Sequence, residues 1–153
     1  MDSQQNHPDF DSVRNVLRSY VATWNSRRVS GLKSHWDESL PNPVYIAEES
    51  AAMTNWPDIE QYWSALDGVD VTIKVSEPQL SRLTDDVITA FYDMHWRIRF
   101  EQHAHWKEPI GGNLRVSVVL ARRSSAWKIV NYVEAPFASA VQVRKWLERD
   151  ALG

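Results

Sequence analysis

Two titratable side chains stand two residues apart in the segment Asp93-Met94-His95. Residues two apart on a strand share a face, so the carboxylate and the imidazole could form an acid-base pair that moves a proton. Arg97 and Arg99 follow on the same face, and so dense a row of charge usually faces solvent or a partner subunit. The pattern therefore leaves open whether His95 is catalytic or lies on the outer surface.

A second candidate is Glu134, in the segment Asn-Tyr-Val-Glu-Ala-Pro at the end of the last predicted strand. Tyr132 shares its strand face, and Pro136 ends the ladder of backbone hydrogen bonds. The alternative is a surface glutamate paired with a nearby arginine, because ion pairs often imitate functional sites.

Metal and cofactor chemistry has little support in the sequence. His103 and His105 could share a strand face, but no third ligand has an obvious place beside them, and their segment is typical of a hairpin loop. The chain has no cysteine, which excludes thiolate nucleophiles and zinc-thiolate sites. It also lacks a Ser-His-Asp arrangement, a phosphate-binding glycine loop and a dinucleotide fingerprint. We expect neither a metal nor a cofactor.

Helical spacing in the first half of the chain predicts three helices. The apolar stripe of the first helix is formed by Val13, Val16, Leu17, Tyr20, Val21 and Trp24, with Asp9 or Asp11 as its cap. A second, shorter helix is predicted around Leu32, His35 and Trp36, and it ends before Pro41. The third begins at Trp56-Pro57-Asp58, where proline suits the first turn.

Alternating hydrophobicity predicts strands in the second half of the chain. They are expected at residues 69–75, 79–83, 87–102, 114–123 and 127–134, after an early strand at residues 44–47. Gly111-Gly112-Asn113 and Ser124-Ser125 are interpreted as turns, and residues 141–152 as a closing helix. Helices first and strands afterwards indicate an α+β fold, with helices packed on a strongly curved, mainly antiparallel sheet.

Composition limits the class of protein. The 153 residues predict a flexible N-terminus over residues 1–10 and one domain over residues 11–153. A formal charge of −3 gives no basic surface for nucleic acid. No apolar run approaches the ~18 residues of a membrane span, so we expect a cytoplasmic protein with no membrane partner. The eight tryptophans suggest a flat apolar or aromatic ligand.

The order of these elements resembles a known superfamily. The matching segments are YVATWN, SHWDESL, VYIAEE, WPDIEQYW, LRVSVVLARR and WKIVNYVEAP, which together cover roughly residues 11–137. They resemble the nuclear transport factor two-like superfamily, which includes ketosteroid isomerase, scytalone dehydratase and the SnoaL-type polyketide cyclases. The resemblance implies a cone-shaped α+β barrel with a deep apolar pocket at its open end.

The resemblance also implies roles for particular residues. Tyr20 matches the tyrosine with which ketosteroid isomerases donate a hydrogen bond to a developing oxyanion, although helical spacing equally predicts a core residue there. Glu48 and Glu49 lie where those isomerases place a carboxylate base, although both could be solvated loop residues. Tyr132 and Glu134 would point into the cone.

Two positions depart from the known enzymes of the superfamily. The buried acid of the isomerases falls near Val119, and the aspartate of the dehydratases is matched by Asn25, whose amide cannot act as a base. His95 could represent the histidine of the dehydratases, and its direction depends on strand register.

The function predicted on this basis is a cofactor-independent lyase, dehydratase or isomerase acting on a small cyclic or aromatic metabolite by proton transfer. The alternative is a non-catalytic ligand-binding or assembly module of the same fold. A homodimer formed through the outer face of the sheet is expected, with a trimer as the other possibility. The residues predicted to contact the ligand are Trp24, Trp36, Tyr45, Trp63, Trp96 and Tyr132.

Overall fold

A computed structural model describes residues 7–100, 108–137, 144, 145 and 148 of the chain. Its helices are α1 (Pro8–Asn25) and α2 (Trp56–Ser64), with two short 3₁₀ turns between them at Val29–Gly31 and Lys33–His35. Its strands are β1 (Val44–Ile46), β2 (Asp70–Val75), β3 (Gln79–Thr84), β4 (Val87–Arg99), β5 (Ile110–Arg123) and β6 (Ala126–Pro136). None of the described helices is long and apolar enough to cross a membrane.

Helix α1 begins at Pro8, ahead of the predicted domain boundary at residue 11. His7 caps it, because its Nδ1 accepts a hydrogen bond from the Asp9 backbone N–H at 3.2 Å. The expected cap at Asp9 or Asp11 is therefore wrong. Both carboxylates lie in the first helical turn instead, where a negative charge interacts favourably with the helix dipole.

The short second helix is replaced by the two 3₁₀ turns. Here the Ser34 hydroxyl donates to the Gly31 carbonyl oxygen at 2.8 Å, and such side-chain bonds compete with regular helix formation. Helix α2 is confirmed, with Asn55 as its cap: the Asn55 side-chain oxygen accepts from the Asp58 backbone N–H at 2.9 Å.

The six strands form one sheet in the order β1-β6-β5-β4-β2, and β3 pairs with the other half of β4. Strands β2 and β3 thus follow each other along one edge of β4, opposite its residues 94–99 and 87–91 respectively. All pairs are antiparallel except β1 with β6. The expected curved and mainly antiparallel α+β fold is confirmed.

Strand β4 shows which face of the sheet is the inner one. Ile88, Ala90, Tyr92 and Met94 are buried, whereas Phe91 is 44% exposed. The charged row from Asp93 to Arg99 shares the exposed face of Phe91 and lies on the outer surface. Helices α1 and α2 contribute their apolar stripes to the core cluster that covers the inner face.

Gly111 and Gly112 do not form a turn. They lie within β5, where they pair with Arg97 and Trp96 of β4. A Cβ atom on Gly111 would overlap the backbone carbonyl oxygen of Trp96. Glycine is therefore required here because the backbones of β4 and β5 approach closely. The sequence predicts a turn at this pair because glycine is favoured both in turns and where two backbones approach closely.

Two predicted segments fall wholly or mostly outside the described residues. His103 and His105 belong to a stretch that is not described. Of the expected C-terminal helix, only residues 144, 145 and 148 are described, and they are helical.

Asn25 joins the end of α1 to β2 with both groups of its side-chain amide. Its oxygen accepts from the Ile73 backbone N–H at 2.7 Å, and its nitrogen donates to the Ile73 carbonyl oxygen at 3.0 Å. Replacing Asn25 with Ala should lower the free energy of unfolding by about 1–3 kcal/mol, measured by urea denaturation, because two partners on the strand lose their bonds.

Asn15→Ala is the matched control, since this exposed amide of the same helix makes one long bond with Arg18 and should matter by less than about 0.5 kcal/mol. Asn25→Asp should also destabilise the fold at neutral pH, because a carboxylate cannot donate to the Ile73 carbonyl. Equal effects at both asparagines would show that the bonds between Asn25 and Ile73 do not stabilise the fold.

Candidate active site

A cavity of about 400 Å³ lies between the inner face of the sheet and the two helices. This volume suits a small organic molecule. The wall is mostly apolar and aromatic and includes three carboxylates; its described residues are Trp24, Tyr45, Glu48, Glu49, Tyr62, Leu66, Val71, Ile73, Met94, Trp96, Ile98, Phe100, Ile110, Leu114, Tyr132 and Glu134.

The pairing of β1 with β6 positions the side chains that form one wall of the cavity. Tyr45 lies directly opposite Tyr132 in the register, and their rings stack at a centroid distance of 5.2 Å and an interplanar angle of 9°. Glu134 follows Tyr132 by two residues, so it reaches the same face of β6. Sequence alternation and strand pairing thus bring two phenols and a carboxylate to one wall.

Glu134 is held by two hydrogen bonds. Its Oε2 accepts from the Glu48 backbone N–H at 3.2 Å, and its Oε1 accepts a long bond from the Tyr45 hydroxyl at 3.5 Å. Burial raises the pKa of Glu134 to about 7, the nearby Glu49 and Glu48 carboxylates add to the rise, and the two donors oppose it. A carboxylate with this pKa exchanges protons readily near neutral pH.

The other two carboxylates follow β1. Burial raises the pKa of Glu48, and the adjacent Glu49 adds to this, while the Trp96 indole opposes it. Glu49 is exposed and accepts a hydrogen bond of 2.8 Å from the Tyr62 hydroxyl. Alternation along a strand would turn only one of two adjacent residues inward, but Glu48 and Glu49 both line the cavity because β1 ends at Ile46.

Four of the six residues predicted to contact a ligand line the cavity: Trp24, Tyr45, Trp96 and Tyr132. Trp36 and Trp63 do not. They pack against each other in the core with ring centroids 6.1 Å apart, and 1% and 3% of their surfaces are exposed. The same helical spacing produces core and pocket tryptophans, so sequence alone could not separate them.

Tyr20 does not line the cavity. Its ring packs behind the wall against Tyr132 and is 1% exposed, and its hydroxyl has no hydrogen-bond partner among the described residues. Burial raises the pKa of Tyr20 well above its ordinary value, and the nearby indoles of Trp24 and Trp36 offset this only in part. The Tyr20 hydroxyl is therefore not positioned to contact a ligand in the cavity.

His95 lies on the outer face of the sheet. It is exposed, and its Nδ1 lies 2.9 Å from the side-chain oxygen of Asn113 on β5. The sequence left its direction open, and the register of β4 turns it away from the cavity. Val119 also lies away from the inner face of β5, where Val116 and Val118 are fully buried.

Several cavity residues were not predicted as ligand contacts. Tyr62 belongs to the apolar stripe of α2, Met94 and Ile98 lie on the inner face of β4, and Phe100 directly follows that strand, so existing patterns could have found them. Ile110 could not have been found, because its segment was interpreted as a loop. Within the described part of the chain, no three acidic or histidine side chains are grouped so as to hold a metal ion.

A protein-family model for the SnoaL-like domain matches residues 13–139. The match covers most of the chain, and the chain belongs to this family. None of the curated proteins matches the sequence.

Solved structures share the fold at low identity. A nuclear transport factor 2-like superfamily protein from Salmonella enterica serovar Typhimurium is 16% identical with a TM-score of 0.72, over 86% of this chain and 92% of that one. A protein assigned as a scytalone dehydratase from Novosphingobium aromaticivorans is 5% identical with a TM-score of 0.74, over 85% of each chain. A hexachlorocyclohexane dehydrochlorinase is 11% identical with a TM-score of 0.67, over 84% of this chain and 88% of that one. At these identities the likeness shows the nuclear transport factor 2-like fold alone.

The position of Tyr20 leads to a prediction about its hydroxyl. Tyr20→Phe should change the free energy of unfolding by no more than about 1 kcal/mol, because the lost hydroxyl has no described partner. Tyr20→Ala is the contrasting variant and should cost about 3–5 kcal/mol, since it removes a buried ring. Both are measured by urea denaturation. A hundredfold loss of turnover in a well-folded Tyr20→Phe protein would show instead that the hydroxyl reaches the ligand.

Proposed function

We propose that the cavity is an active site in which Glu134 removes a proton from a carbon atom of a small cyclic or aromatic substrate. It then delivers that proton to another carbon, as in an isomerase, or to the departing group as the C–X bond breaks and a double bond forms, as in a lyase or dehydratase. Such an enzyme is a lyase, dehydratase or isomerase that needs no cofactor for this step. The observation that carries the proposal is a partly buried carboxylate at the wall of an apolar cavity, oriented by the Glu48 N–H and the Tyr45 hydroxyl.

The surroundings of Glu134 suit a general base. Aromatic walls limit its hydration, which strengthens its attraction for a proton near neutral pH. The Tyr45 phenol stays protonated because burial raises its pKa, so it remains a donor to the carboxylate. A substrate stacked on the Tyr45 and Tyr132 rings would be held beside the base, and such positioning supplies much of the rate enhancement.

Glu134 is a better base than its two neighbours. Glu49 is exposed and engaged by Tyr62, and Glu48 lies in the loop after β1 and uses its backbone rather than its carboxylate to contact Glu134. Glu134 lies on a strand, where pairing with β5 fixes its backbone opposite Val116. Rigid placement favours a catalytic role.

Proton removal can be measured without knowing the natural substrate. Bicyclic ketones such as 1-tetralone and 2-tetralone exchange their α-protons in heavy water, and NMR follows the exchange. Glu134→Gln should reduce the protein-dependent rate at least about a hundredfold, since general-base catalysis contributes a factor of about 10² to 10⁴. Glu60→Gln is the matched control, because Glu60 is exposed and pairs with Lys33.

The pH dependence of the exchange rate follows from the raised pKa of Glu134. A base must be deprotonated, so the exchange rate should rise with pH through about 7 and level off above it. Tyr45→Phe should move the rising part of this pH profile to higher pH, because the carboxylate loses a donor that lowers its pKa.

An unchanged exchange rate in Glu134→Gln would show that another residue is the base. No exchange for any ketone would favour a non-catalytic binding module.

The outer face of the sheet supports a second proposal, that two copies of the chain associate through it. Phe91, Ser117 and Val133 lie in one row across β4, β5 and β6, and Ile46 of β1 continues the row. Phe91 is 44% exposed, and a row in which Phe91, Val133 and Ile46 flank one small serine suits an isologous dimer interface.

Sedimentation should show a dimer at micromolar concentration, and Ser117→Arg should convert it to a monomer by placing a charge in the centre of the row. Ser64→Arg, on the exposed surface of α2, is the control and should leave the dimer intact. A wild-type protein that sediments only as a monomer would refute the dimer.

A further inference from the structure

The described lining of the cavity contains carboxylates and no cationic side chain. Glu48, Glu49 and Glu134 line it, whereas its described lining includes no lysine, arginine or histidine. Elsewhere in the chain, buried or partly buried acids are paired: Asp9 with Arg122 at 2.6 Å and Asp37 with Arg123 at 2.5 Å. Among the described residues, no ion pair involves any of the three cavity glutamates.

An acidic group in apolar surroundings is costly when its charge has no partner. The Glu48 backbone N–H lies 3.2 Å from the Glu134 carboxylate, which places the two residues side by side, and Glu49 follows directly. Burial is the main cause of the raised pKa of Glu134 and of Glu48, and repulsion from the neighbouring carboxylates adds to both rises. A neutral guest would leave this repulsion in place, an anion would increase it, and a cation would relieve it.

The remaining wall also suits a cation. The stacked rings of Tyr45 and Tyr132, together with the Trp24, Tyr62 and Trp96 rings, surround the space next to the carboxylates. The electron-rich faces of such rings attract a positive charge and also pack well against a flat body. Two independent features, the unpaired carboxylates and the aromatic wall, thus favour the same kind of ligand.

We propose that the cavity binds a flat organic cation, an aromatic or bicyclic body that carries a protonated amine, with the ammonium group directed at Glu48 and Glu49. The inference rests on the proposed function in that it names the substrate class of the same cavity. Glu134 remains the proton-transfer group, and the other two glutamates recognise the charge.

Three probes of the same shape separate charge from apolar contact: 1-naphthylmethylamine, 1-naphthalenemethanol and 1-naphthoate. Their affinities are measured by isothermal titration calorimetry at pH 8, where Glu134 is mostly ionised. The protonated amine should bind at least about tenfold more tightly than the alcohol, and the naphthoate should bind most weakly. Raising the salt concentration should reduce the preference for the amine, because Glu49 is exposed.

Variants locate the source of the preference. Glu48→Gln and Glu49→Gln should each lower the ratio of amine to alcohol affinity about threefold or more while leaving the affinity for the alcohol nearly unchanged. Glu60→Gln, outside the cavity, should leave the ratio unchanged. Equal binding of amine and alcohol by the wild-type protein, tighter binding of the naphthoate, or no binding of any probe would overturn the proposal.

The outcome is distinguishable from a failure of the proposed function because calorimetry needs no turnover. A preference for the amine without proton exchange from any substrate would support cation binding and refute the enzyme. Proton exchange that depends on Glu134, without a preference for the amine, would refute cation binding and leave the enzyme standing.

Discussion

The short parallel pairing of β1 with β6 is the constraint on which the site depends. It aligns Tyr45 with Tyr132, stacks their rings and carries the Glu48 backbone N–H to the Glu134 carboxylate. Because β1 ends at Ile46, the chain leaves the sheet at the place where Glu134 needs a donor. A single pairing of three residues thereby builds an aromatic wall and orients the acid within it.

Keeping Glu134 in this position reduces stability at high pH. Its pKa in the folded protein is raised from 4.5 to about 7, so the folded state binds the proton more tightly than the unfolded state. The free energy of unfolding therefore falls as pH rises from about 4.5 through about 7, by no more than about 3 kcal/mol because the group keeps some exposure. The fold tolerates this cost because the core around the cavity is large and aromatic, including buried Trp36, Trp63 and Tyr20.

The sequence predicted the parts of the fold that repeat a period. Alternation in β4 placed Met94 and Phe91 on opposite faces but left open which face is the inner one, and helical spacing found α1 and α2. It failed where one residue type serves two purposes. Gly111 permits two strands to approach closely rather than forming a turn. His7, which is not among the residue types usually preferred as caps, is the N-cap of α1.

The site was predicted less completely than the fold. Glu134 and Tyr132 were placed on one strand face by alternation, and the resemblance to the superfamily turned that face inward. Tyr20 shows why the rest could not follow from sequence. A tyrosine in an apolar stripe can point at the cavity or stop one layer behind it, and a few ångströms of packing decide between these outcomes.

Glu134 is therefore expected to be a partly buried carboxyl that exchanges its proton near neutral pH. Carbon-13 NMR of protein labelled at the glutamate side-chain carboxyl tests it directly, with Glu134→Gln used to assign the signal. The structure predicts a signal that titrates with an apparent pKa of about 7 and is absent from the variant. A Glu134 signal that titrates near the ordinary value of 4.5 would contradict the account, because the carboxylate would then be as well solvated as a surface group.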